Sequence, residues 1–201
     1  MKLVKRRRNH AAIAAWLIAA LTVVVVAVGT FTTPRDWVVN DRLYAGEIQA
    51  AARRHGLDPQ LVRALIFQES RFNPRARGRS GELGLMQLLP EGAVAEWSRL
   101  TRHPLPTEEE LLSVEGNLDI GCWYLSRGIE KYRKYAQGTE MALAWYNAGE
   151  SRVNRWKPED PDGEFVGRID ISSTTAYVKK IMARYRKYLE TAAEYSDSAG
   201  K

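Results

Sequence analysis

The chain has 201 residues, a formal charge of +6, three histidines and one cysteine. That length suits one domain with an appendage, an apolar fraction of 45% allows a packed core, and a single cysteine excludes an internal disulfide. The charge does not mark a nucleic-acid binder: five of the 30 basic residues and none of the 24 acidic ones lie in residues 1–29, which leaves 25 against 24 in the rest.

Residues 1–10 form a basic cluster, expected to stay cytoplasmic. "AAIAAWLIAALTVVVVAVG", residues 11–29, carries no charge and as a helix of about 1.5 Å per residue nearly spans a hydrocarbon core of roughly 30 Å. It reads as a transmembrane signal anchor that exports the remainder of the chain. Cleavage at "AVG" is the alternative. Residues 30–40 are a linker.

From residue 41 helical patterns dominate, with no convincing period-two run. "RLYAGEIQAAARRHG" is one helix, ending at Gly56. In "LDPQLVRALIFQESRFNP", Asp58 is the N-cap, Pro59 takes the first helical position and Asn73-Pro74 stops the helix. An Arg- and Gly-rich loop comes next. A helix begins near Pro90, and a short one in "PTEEELLS". Three more lie in "EGNLDIGCWYLSRGIEKYRKY", "TEMALAWYNAG" and "ESRVNRWK", and the last runs from about Thr174 to Glu190. The domain is all-α, residues 41–192, and residues 193–201 read as a flexible tail.

His10, His55 and His103 are scattered, so no metal site is expected, and no Gly-rich phosphate loop follows a strand. No cofactor is implied. Cys122 lies in the apolar "IGCWYL" and reads as a core residue.

Glu69 is the odd residue. Val62, Leu65, Ile66 and Glu69 fall at i, i+3, i+4 and i+7, one stripe facing the core. Glu69 also lies in the last turn, where the helix dipole disfavours negative charge. Both effects raise a carboxyl pKa toward the range of a general acid. The bland alternative is a glutamate that reaches solvent or pairs with Arg63 or Arg71. Downstream, "SGELGLMQLLP" offers close backbone approach at Gly81 and Gly84 and an amide at Gln87. "MALAWYNAGESRV" ends an apolar helix on Tyr146 and Asn147.

Glu69-Ser70, Gly84-Leu85-Met86-Gln87, "NLDIGCWYL" (117–125) and "ALAWYNAG" (142–149), with "FNP", "LLP" and Tyr177-Val178, resemble the soluble lytic transglycosylase family over residues 43–189. The resemblance implies a lysozyme-like helical domain, here following a transmembrane helix, that acts on peptidoglycan glycan strands outside the cytoplasmic membrane. It implies cleavage of the β-1,4 bond between N-acetylmuramic acid and N-acetylglucosamine, leaving a 1,6-anhydro end. Glu69 is then acid and afterwards base, and Ser70, Glu82, Met86, Gln87, Tyr146 and Asn147 are site residues.

Three positions depart from the family pattern. Gly78 stands where many relatives have a serine, and Ser80 is out of register. Glu82 replaces a common alanine and is either a site residue or a partner of Arg77 or Arg79. Ser173-Thr174 replaces a Glu-Thr pair. Two other functions fit the same fold. A hydrolytic muramidase would need Glu82 as second carboxylate. A non-catalytic glycan-binding envelope protein would have lost turnover.

Overall fold

A computed structural model describes residues 39–199, with side chains as far as residue 193. The basic cluster, the apolar segment 11–29 and most of the linker lie outside the described residues. No helix among the described residues is long and apolar enough to cross a membrane.

The domain is all-α, as expected. Its helices are α1 (Ala45–Arg54), α2 (Pro59–Ser70), α3 (Ala95–Thr101), α4 (Glu108–Leu112), α5 (Val114–Tyr132), α6 (Gly138–Ala148), α7 (Glu150–Trp156) and α8 (Ser172–Ala199). A π turn, Pro90–Val94, leads into α3, and a 3₁₀ turn, Val166–Arg168, precedes α8.

The central pair is α5 against α6, and α1 also packs on α5. Helix α8 packs along α2 and α6. Small residues on α5 let this happen. A Cβ on Gly128 would stand 2.8 Å from the Trp145 ring of α6, and one on Gly121 would press on Met86. Cys122 is buried on the same helix, and burial pushes its thiol up to about 12, which leaves it inert.

Helix α2 starts as the sequence dictates. Asp58 accepts from the Gln60 N–H at 2.7 Å, with Pro59 just inside the helix. The other Asp58 oxygen accepts from Tyr185 Oη at 2.7 Å, which ties the start of α2 to α8. The end differs from expectation. The helix stops at Ser70, before Asn73-Pro74, because Arg71 (φ 52°) and Phe72 (φ 64°) are both left-handed. The Phe72 ring is buried and meets Phe67 edge-on, so packing holds a backbone conformation that L residues avoid.

Helix α8 also differs. It begins at Ser172 and runs to Ala199, past the expected end at Glu190. No proline or glycine interrupts residues 191–199, so the helical pattern has nothing to break it.

Candidate active site

Glu69 occupies the next-to-last position of α2. Val62, Leu65 and Ile66 on its stripe are fully buried, while Glu69 itself is half-buried at the lip of a groove of about 410 Å³. Burial raises its carboxyl from 4.5 to about 7. A hydrogen bond from Tyr177 works against that rise, and the charge of Glu82 adds to it. The Tyr177 hydroxyl donates to Glu69 Oε1. Neither arginine alternative holds. Arg63 pairs with Asp41 at 3.2 Å, and no ion pair reaches Glu69 among the described residues.

Residues of α5 and α6 also line the groove. Tyr124 stacks on Trp145 with ring centroids 4.2 Å apart and meets Tyr146 edge-on at 5.4 Å. All three line the groove, which gives it the aromatic surface on which sugar rings can lie. The Tyr146 hydroxyl donates to the Met86 carbonyl at 2.8 Å, so this wall is fastened to the loop that carries Gln87.

That loop, residues 76–88, is organised by Asn117 of α5. Asn117 is fully buried. Its amide donates to the carbonyls of Leu83 (2.9 Å) and Leu111 (2.7 Å), and its oxygen accepts from Met86 N–H (2.8 Å). Gly84, at φ 76°, must be glycine, because a Cβ there would stand 2.6 Å from the Leu111 carbonyl and collide with the Asn117 amide. The close approach expected of Gly84 is therefore made to the core, while a Cβ on Gly81 would meet open space.

Gln87 lines the groove at φ 47°. Its amide donates to the carbonyls of Gly84 (2.9 Å) and Ala76 (3.3 Å). The loop thus uses the donor end, and the carbonyl end faces Gly78. Asn147 also lines the groove, and its Oδ1 accepts from buried Thr174 at 2.9 Å. At the departure Ser173-Thr174, the threonine therefore holds Asn147 in place. Glu82 shares the groove wall with Gly78 and Arg79. It pairs with neither expected arginine: Arg77 bonds Glu108, and Glu82 Oε2 accepts from the Ser80 N–H at 2.9 Å.

Two expected site residues lie off the groove. Ser70 turns its hydroxyl back to the Ile66 carbonyl at 3.3 Å, the usual satisfaction of a serine in a helix. The Met86 side chain is fully buried against α5, and only its carbonyl bears on the groove wall, through Tyr146. Conversely, Tyr177, Tyr124, Trp145 and Asn117 build the site although the sequence does not single them out as site residues. All four lie inside the motif segments that carry the resemblance, which is the signal that could have found them.

A profile of the Transglycosylase SLT domain matches residues 46–166. A putative soluble lytic murein transglycosylase of Haemophilus influenzae is 32% identical over 146 residues, which is 70% of this chain and 24% of that protein. Membrane-bound lytic murein transglycosylase C of Actinobacillus succinogenes is 31% identical over 129 residues, 62% of this chain and 36% of that one. An inactive glutamate-to-glutamine mutant of lytic transglycosylase Slt from Pseudomonas aeruginosa superposes with a TM-score of 0.68 at 25% identity, over 90% of this chain and 30% of that one. The soluble lytic transglycosylase in complex with bulgecin A gives 0.64 at 27%, over 74% and 25%. The chain spans about a quarter of the length of the soluble relative.

Proposed function

The chain belongs to the SLT transglycosylase family, and from that premise we propose that it is a peptidoglycan lytic transglycosylase in which Glu69 carries both proton transfers. The observation that supports this most is a half-buried glutamate at the end of α2, lining the groove, with its carboxyl raised to about 7. A carboxyl raised into that range can give its proton near neutral pH and take it back.

The reaction balances without water. Protonated Glu69 gives its proton to the glycosidic oxygen, and the bond from that oxygen to the N-acetylmuramic acid C1 breaks. The substrate's N-acetyl group steadies the positive centre. Glu69, now a carboxylate, takes the proton of the C6 hydroxyl, whose oxygen closes on C1 as the 1,6-anhydro ring. One carboxylate suffices, unlike the two-carboxylate hydrolases. Tyr177 is placed to stabilise the carboxylate between the two steps. The inactivating glutamate-to-glutamine exchange in the similar Pseudomonas protein fits this assignment.

The uncharged segment 11–29 with its basic flank supports an anchor in the cytoplasmic membrane and a domain facing the wall. Membrane-bound as well as soluble relatives are consistent with that placement.

Mass spectrometry of peptidoglycan digested by the wild type tests the reading. Anhydro ends support it. Reducing ends would sink it in favour of hydrolysis, with Glu82 as the second carboxylate.

A further inference from the structure

Glu82 and Gly78 share one volume. A Cβ built on Gly78 lies 2.8 Å from Glu82 Cδ and 2.9 Å from Gln87 Oε1, and it overlaps Glu82 Oε2. No side chain fits at position 78 while Glu82 stays where it is. The loop also closes onto this arrangement. Gly78 N–H donates to the Glu82 carbonyl at 2.8 Å, and Ser80 N–H donates to Glu82 Oε2 at 2.9 Å. Glu82 is thus seated by backbone donors on the groove wall that also holds Glu69.

We propose that Glu82 is the positioning residue for Glu69 in this chain, its carboxylate standing in the space a side chain at position 78 would fill. The two departures at 78 and 82 are then a single exchange. The inference rests on Glu69 being the general acid.

Glu82 acts through Glu69 by charge. Its repulsion keeps the proton on Glu69 at higher pH than burial alone does. The other groups around Glu69 are Tyr177 from α8, Tyr146 from α6, Tyr124 from α5 and Arg79 on the loop. The tyrosines are neutral at working pH. Arg79 opposes Glu82 in sign, so the charge that raises Glu69 is that of Glu82.

The test uses the full chain and three variants: Glu82→Gln, Gly78→Ser, and Gly78→Ser with Glu82→Ala together. Glu82→Gln keeps the shape and an acceptor for Ser80 N–H but removes the charge. NMR titration of Glu69 should show its midpoint lowered by about half a pH unit. The alkaline limb of kcat/KM on peptidoglycan should fall by the same amount. Gly78→Ser alone should lose about tenfold in rate, and the double variant should regain most of that loss. A Glu69 midpoint unchanged in Glu82→Gln overturns the proposal, as do additive effects at 78 and 82. Reducing ends from the wild type would instead overturn the transglycosylase reading and leave the titration result standing.

Discussion

The hydroxyl of Tyr177 donates to Oε1 of Glu69, across 108 residues of sequence and from a different helix. It is a bond to the ionised form of the acid, so it opposes the rise that burial causes.

Tyr177→Phe should therefore push the Glu69 carboxyl above about 7. The alkaline limb of the pH–rate profile should move to higher pH, opposite to the shift in Glu82→Gln. Loss of carboxylate stabilisation between the two proton transfers should lower kcat by about tenfold. A pH series of muropeptide release on wild type and variant measures both effects.

Glu69→Gln should lower turnover by about 10²–10⁴-fold, since the group is acid and base in one. The groove walls are built from α5, α6 and the loop 76–88, so glycan binding should persist. Parallel product analysis and a pull-down on insoluble peptidoglycan separate the two properties. Unchanged release of muropeptides would refute Glu69 as the acid.

The same residue should leave a mark on stability. Its folded pKa lies above its unfolded value, so the stability tied to its proton is full below about 4.5 and is lost as pH rises through about 7. The loss is about 3 kcal/mol at most, the free-energy equivalent of a rise from 4.5 to about 7. Glu69→Gln should thus melt higher than wild type at pH 8 and close to it at pH 4. Thermal melts at the two pH values decide it.

Asn117→Ala should cost about 2–3 kcal/mol, because the Leu111 carbonyl and the Met86 N–H lose their side-chain partner together, while the Leu83 carbonyl keeps the Leu88 N–H. Gly84→Ala should be at least as damaging, given its positive φ and its contact with Asn117. Urea melts report the loss. Activity should fall with loop order even where the fold survives, since Gln87 and Tyr146 both hang on this loop.

What the sequence made legible was local. The stripe from Val62 to Glu69 needs only the helical period, and the Asp58 cap needs only its neighbours. The fold class came from the lack of alternating patterns. What stayed hidden was set by distance along the chain. Tyr177 comes to Glu69 only because α8 lies along α2. Asn117 looks like an ordinary polar position on α5 until the loop 76–88 folds over it. Ser70 and Met86 belong to motifs that point to the groove, yet one turns back on its own helix and the other enters the core. Gly78 and Glu82 are two departures in a line of letters, and one volume in space.

The chain turns away from Glu69 through Arg71 and Phe72, both held left-handed just after the acid. Phe72 is committed to the core, but Arg71 is exposed. Glycine ends helices in this conformation without steric cost, whereas other residues carry about 1 kcal/mol of strain there. For protein engineering, Arg71 is an untapped reserve of thermal tolerance two residues from the reacting group. It is reachable by Arg71→Gly without altering any side chain that lines the groove.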